Sequence, residues 1–111
     1  VTAGFTFEEH DWPLVLYMNF ETPKATIDAL INGGWLWNKG ENKVQAFTGS
    51  VTSQNTITLE VDHTGLTHIY LDGVKITDFR HHLTDVRRSN KFFVSGYPDV
   101  RLTRLEFKRL P

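Results

Sequence analysis

The segment from Leu66 to Leu83, LTHIYLDGVKITDFRHHL, constrains the fold more than any other stretch of the chain. Ile69 and Leu71 share one face of an extended backbone, while His68 and Tyr70 take the other. After Asp72-Gly73, Val74 and Ile76 repeat the two-residue period. Asp-Gly between two alternating runs predicts a tight antiparallel hairpin, because both central residues of a type I′ turn need positive φ.

The rest of the chain repeats this grammar. Turn signals recur at Glu9–Pro13, Thr22-Pro23, Asn32-Gly33-Gly34, Lys39-Gly40, Thr48–Ser50, Ser53–Asn55 and Tyr97–Asp99. Between them lie segments rich in β-branched and aromatic residues: Phe5–Glu8, Leu14–Phe20, Lys43–Phe47, Thr56–Asp62, Lys91–Ser95 and Val100–Phe107. Ile57, Leu59 and Val61 form a period-2 row against Thr56, Thr58 and Glu60. Many short strands at this spacing predict an all-β antiparallel sandwich or barrel. Leu102 to Leu105 breaks the alternation, and a bulge there would return Leu105 and Phe107 to the core face. Pro23–Ile31 fits either period, with Ile27, Leu30 and Ile31 at helical spacing or Ala25, Ile27, Ala29 and Ile31 on one strand face. The all-β context favours strand. His82–Ser89 reads as a single helical turn.

A chain of 111 residues with 40% hydrophobic and 23% charged residues can bury a core as one domain without crosslinks. The domain is read as residues 1–111, cut from a longer protein, since it begins at Val1 and not at an initiator Met. No cysteine is present, so there are no disulfides and no thiolate metal site. No apolar run approaches the roughly 20 residues a membrane-spanning helix needs, and no Asn-x-Ser/Thr sequon occurs. The expectation is a domain without membrane insertion, cytosolic or non-classically secreted. Residues 1–79 carry 4 Lys/Arg against 10 Asp/Glu; residues 80–111 carry 8 against 3. The plain explanation is neutralisation between neighbouring strands. The sharper one is a basic surface for an acidic partner, with Arg87, Arg88, Arg104 and Lys108 as its candidates. A pI near 6.6 does not suggest nucleic acid.

The five histidines include no His-x-x-x-His pair. His81 and His82 would point to opposite faces of a strand and could not chelate together, so no metal or other cofactor is expected. His68 reads as a packing residue on the solvent side. Glu8 and Glu9 diverge in a strand, and Glu60 and Asp62 sit among threonines on a solvated face. Neither pair resembles the facing carboxylates of a glycosidase, E-x-D-x-x-E and Gly-x-Ser-x-Gly are absent, and no enzyme activity is expected.

Aromatic residues are the better lead. In NGGWLWNKGENK, Trp35 and Trp37 would share one strand face, with Leu36 on the other. A Trp ring can stack on the apolar face of a sugar. Asn38, Glu41 and Lys43, with Lys39 and Asn42 beside them, could bind hydroxyls. The competing explanation is that one or both Trp fill the core. Trp12 beside Pro13 reads as a packing residue at a strand entrance.

The chain also resembles the galectin family. The resemblance rests on ITLEVDHTGLTHIYLDG for the paired strands, DFRHHL for the family's "D-F-x-H-R" exit, and KFFVSGYPDVRLTRLEF for its "I-x-V-x-G-D-V-x-L-T-x-V-x-F" ending. Upstream, FTFEE and LVLYMNF sit where the early strands belong. The resemblance implies a galectin-type, concanavalin A-like jelly-roll sandwich. It does not carry the sugar site intact. The family's H-x-N-x-R is missing, and ATIDALI in its place offers Thr26, Asp28 and Leu30. INGGWLW aligns with "I-G-G-x-W-G", making Trp35 or Trp37 the stacking ring, with Glu41 and Lys43 imitating the acidic and basic pair that follows. The expected function is a non-catalytic galectin-like domain that mainly contacts protein. The alternative is a divergent lectin binding glycan through Trp35/Trp37. Terminal strands lie side by side in such sandwiches, so Glu8 and Glu9 could meet Arg104 or Lys108 within one chain or across a homodimer.

Overall fold

The computed structural model describes residues 1–98, 100, 101 and 104. Among the described residues, nine strands and two short 3-10 turns follow the order β1 (Thr2–Glu8), β2 (Trp12–Asn19), β3 (Lys24–Ile31), β4 (Gly34–Trp35), η1 (Leu36–Lys39), β5 (Lys43–Ala46), β6 (Ile57–Val61), β7 (Thr67–Leu71), β8 (Val74–Phe79), η2 (Val86–Arg88) and β9 (Lys91–Tyr97). Pro23–Ile31 resolves to strand, and the turn expected in His82–Ser89 is η2. Most of the expected last strand, Val100–Phe107, and its bulge at Leu102–Leu105 lie outside the described residues.

All pairings are antiparallel. One sheet runs β4-β3-β2-β1-β9, with β5 also pairing β3, and the second runs β6-β7-β8. Leu14, Leu16 and Met18 of β2 and Ala25, Ile27 and Ala29 of β3 face Ile69, Leu71 and Phe79 of β7 and β8 in one buried cluster. Two sheets closing on one apolar layer make an all-β antiparallel sandwich. On β6, Ile57, Leu59 and Val61 lean inward while Thr58 and Glu60 are exposed, as the period-2 row predicts. The same rule holds on β2, where Tyr17 is exposed between buried Leu16 and Met18.

The Asp72-Gly73 hairpin forms with φ of 49° and 82°. Its second strand departs from the simple alternation. Tyr70 pairs Lys75, but Ile69 pairs Thr77, so Ile76 is an extra residue in β8. An inserted residue moves every later side chain to the opposite face. Thr77 and Phe79, which follow the bulge, are therefore the buried residues of β8, while Val74 beside the turn is exposed. Of the Val74/Ile76 row, Ile76 packs half-buried against the core cluster, whereas Val74 stays exposed.

At the other flank, β1 pairs β9 with Glu8 opposite Lys91. The Lys91 Nζ lies 3.9 Å from Glu8 Oε1. Arg104 is exposed; Lys108 lies outside the described residues.

Candidate functional site

Trp35 and Trp37 do not share a strand face. Strand β4 ends at Trp35, and Leu36–Lys39 turn into η1. The cause is Asp28, a buried residue of β3. Its Oδ1 accepts from the Ala29 N–H at 2.7 Å and from the Leu36 N–H at 2.9 Å. That second bond takes the Leu36 amide out of any strand ladder. Leu36 then drops into the core, and Trp35 packs edge-on against Trp12 with ring centroids 5.7 Å apart. Trp35 is thus half-buried against Trp12, outside the core cluster. Trp37 stands out from η1, 59% exposed.

Gly40, at φ 69°, closes the turn, and the Glu41 N–H bonds the Leu36 carbonyl at 3.0 Å. The remaining candidates then separate. Asn38 stays at the exposed tip with Trp37. Glu41 and Lys43 reach the other sheet. The Lys43 Nζ donates to the Asp78 carbonyl of β8 at 2.9 Å. The Glu41 carboxylate accepts from His81 Nε2. That hydrogen bond, aided by the charges of His81, Lys39 and His82, holds Glu41 below the usual glutamate value against the opposing cost of burial.

His81 is buried and follows directly on β8. Its Nδ1 accepts from the Leu83 N–H at 3.2 Å. The chain has left strand geometry here, so His82 does not point away from His81. The two rings lie 4.4 Å apart at 31°. Glu41, His81 and His82 bring one ligand atom each to within 4.8 Å of one another. The expectation that the two histidines cannot act together fails because it assumes an extended backbone.

Beside them runs a shallow groove of about 320 Å3 between Thr64-Gly65 and residues 80–88. Arg80 donates to Thr64 Oγ1. Arg87 forks onto Asp85, with Nε–Oδ1 and Nη2–Oδ2 both 2.9 Å, and also donates to the His63 carbonyl at 2.9 Å. This pairing holds Asp85 below and Arg87 above their ordinary values. Arg87 and Arg88 thus come side by side on η2 at the groove rim. Arg87 is already committed to Asp85, while Arg88 is exposed.

His68 is not a simple packing residue. Its Nδ1 lies 2.6 Å from Asp78 and its Nε2 3.1 Å from Asp62; Lys75 adds a contact to Asp78 at 2.7 Å. Asp78 is the cross-strand partner of His68 only because of the Ile76 bulge. Counting residues outward from the turn would pair His68 with Thr77, so the strand pattern hides this cluster.

The strand pattern does hold a signal for a second surface. On the solvent face of the larger sheet, Tyr17 (45% exposed), Phe93 (52%) and Tyr97 (75%) stand on β2 and β9. Tyr17 and Ser95 both register with Gly4 of β1 between them. A Cβ on Gly4 would meet Ser95 Oγ at 2.6 Å, so only glycine leaves that floor clear. Outward alternation of Tyr17 against Leu16 and Met18 would have found it.

No family model matches the chain, and no curated protein sequence matches it. Among solved structures, the chain is similar to the galectin LEC-6 of Caenorhabditis elegans, with a TM-score of 0.69 and 17% identity. The match covers 86% of this chain and 64% of that galectin, so the chain spans about two thirds of its length. The fold is galectin-like, as the residue pattern implies.

Proposed function

We propose that the chain is a non-catalytic binding domain acting mainly as a protein–protein interaction module, through the solvent face of its larger sheet. The observation that carries this reading is the set Tyr17, Phe93 and Tyr97, exposed around Gly4 and Ser95 on three adjacent strands. Aromatic anchors on a rigid, flat surface are what protein interfaces favour. The expected basic residues Arg87, Arg88, Arg104 and Lys108 would add long-range steering of an acidic partner. A galectin-like scaffold supports binding over catalysis, although fold by itself does not assign function. The glycan reading loses support around β3. Asp28 there is buried and spent on backbone amides, and Glu41 and Lys43 are engaged with His81 and Asp78.

The test places a photo-crosslinking residue at Phe93 and, as a control, at Val51, which is exposed elsewhere. Discrete protein adducts at Phe93 alone, lost on Tyr97→Ser, are expected. Sedimentation would show whether a second copy is the partner. Equal labelling at both positions defeats the reading.

One observation favours a glycan instead. Trp37 offers an open indole beside Asn38. Glycan-array binding abolished by Trp37→Ala, with the Phe93 crosslink absent, would make this the function.

A further inference from the structure

We propose that Glu41, His81 and His82 form a binding site for a divalent transition-metal ion of the zinc class, joining the loop after η1 to the exit from β8. The inference is independent of the protein-binding reading.

Two imidazoles and one carboxylate are a donor set that zinc accepts, and three protein ligands leave a fourth position for water or an added ligand. Zinc holds N and O ligands at about 2.0–2.2 Å, so two donors on one ion stand roughly 3–3.5 Å apart. The three ligand atoms already lie within 4.8 Å of one another. The remaining closure falls to His82 and Glu41, which are exposed, while buried His81 stays in place. Glu41 and His81 are 40 residues apart and approach from opposite sheets, so their meeting is a product of the sandwich. Glu41 presents a carboxylate that already accepts from His81, the deprotonated form a ligand needs.

The proton balance is definite. Leu83 N–H is a donor, so the His81 Nδ1 it faces carries a lone pair. In the neutral ring the proton therefore sits on Nε2 and is donated to Glu41. Coordination through Nε2, the nitrogen that faces Glu41, moves the ring proton to Nδ1. The Leu83 contact then opens, because two N–H groups face each other. The Leu83 amide is a built-in reporter for His81 ligation.

The experiment titrates the chain with ZnCl2, following thermal unfolding and the Leu83 amide by NMR. Zinc tenfold above its dissociation constant is expected to raise Tm by about 5–8 °C, with EDTA reversing the shift. The Leu83 resonance should move in step. Because His81→Ala could fail to fold, His82→Ala and Glu41→Gln carry the test. Both should lose the zinc-induced shift, while His10→Ala, exposed and outside the cluster, keeps it. No zinc effect on the unaltered chain overturns the proposal. So does an effect that survives His82→Ala and Glu41→Gln, or one that leaves Leu83 unmoved.

Discussion

Asn32-Gly33 and Asp72-Gly73 make nearly the same turn, yet what they join could hardly differ more. Their φ values are 50° and 79° in the first, 49° and 82° in the second. The second opens into β7 and β8, paired from Leu71↔Val74 out to Thr67↔Phe79. The first opens into β4, which pairs at only two positions, Leu30↔Trp35 and Ile31↔Gly34. A type I′ turn is local chemistry that two residues can specify. How far the hairpin runs depends on whether the next amides find a neighbouring strand or another acceptor. After β4, the Asp28 carboxylate captures the Leu36 N–H. In β7 and β8, Thr67, Ile69, Leu71 and Phe79 all gain burial by staying paired. The short hairpin frees Trp37 and Glu41 to leave the sheet; the long one carries its chain to His81 and His82.

The sharpest attack on the long hairpin is Ile69→Ala. Ile69 is fully buried, and truncating such a side chain costs about 2–5 kcal/mol through lost burial and the cavity left behind. Denaturant unfolding should show the loss with an unchanged m-value. A cost under about 1 kcal/mol would mean that β7 does not anchor the smaller sheet.

Next in size is Asp28→Ala at the short hairpin. Leaving the buried Leu36 N–H without an acceptor costs about 1–3 kcal/mol, and the Trp12–Trp35 contact should weaken in near-UV circular dichroism. Asp28→Asn keeps an acceptor oxygen and should lose less. If Ala and Asn behave alike, the captured amide is not what ends β4.

Gly33→Ala and Gly73→Ala isolate the turns themselves. A Cβ at either position meets nothing within 4 Å, so only the positive φ is penalised, by about 1–2 kcal/mol. The two costs should agree within experimental error. A clear inequality would show that the flanking strands, long or short, feed back on the turn.

The smallest effect is the pH response of the long hairpin. His68 is raised above its ordinary 6.5 by its hydrogen bonds to Asp62 and then Asp78. That contribution is complete below 6.5 and is lost as pH rises through the elevated folded value. Asp78 is held below its ordinary 3.8, first by Lys75 and then by His68, and Asp62 is lowered mainly by Thr64. Their contribution is complete above 3.8 and is lost as pH falls through the lowered folded values. The cluster therefore stabilises most between about 3.8 and 6.5. Tm should decline on the alkaline side of that window, and His68→Gln should flatten the decline. An unchanged decline would place the titration elsewhere.

Much of this was legible in residue order. Period-2 rows at Ala25/Ile27/Ala29 and Ile57/Leu59/Val61 need only alternation, and the same order carries the resemblance to galectins that the LEC-6 likeness matches. The candidate site was legible only as a set of residues. Trp37 and Asn38 are exposed together, but Trp35 is packed on Trp12 and Glu41 and Lys43 serve the other sheet. Tyr17 could have been read from its strand, whereas His68 could not.

The amino-acid sequence by itself determined the turns and, strand by strand, most of the faces. Both follow from contacts between residues a few positions apart, which do not depend on the rest of the chain. Tertiary structure alone decided where β4 stops, which carboxylates surround His68 and that His81 and His82 meet Glu41. Each depends on register or on closure of the two sheets. One inserted residue at Ile76 exchanges Thr77 for Asp78 opposite His68, and one buried carboxylate at Asp28 converts a strand into a 3-10 turn. Alternation is blind to both, because neither changes the pattern until the partner strand is in place.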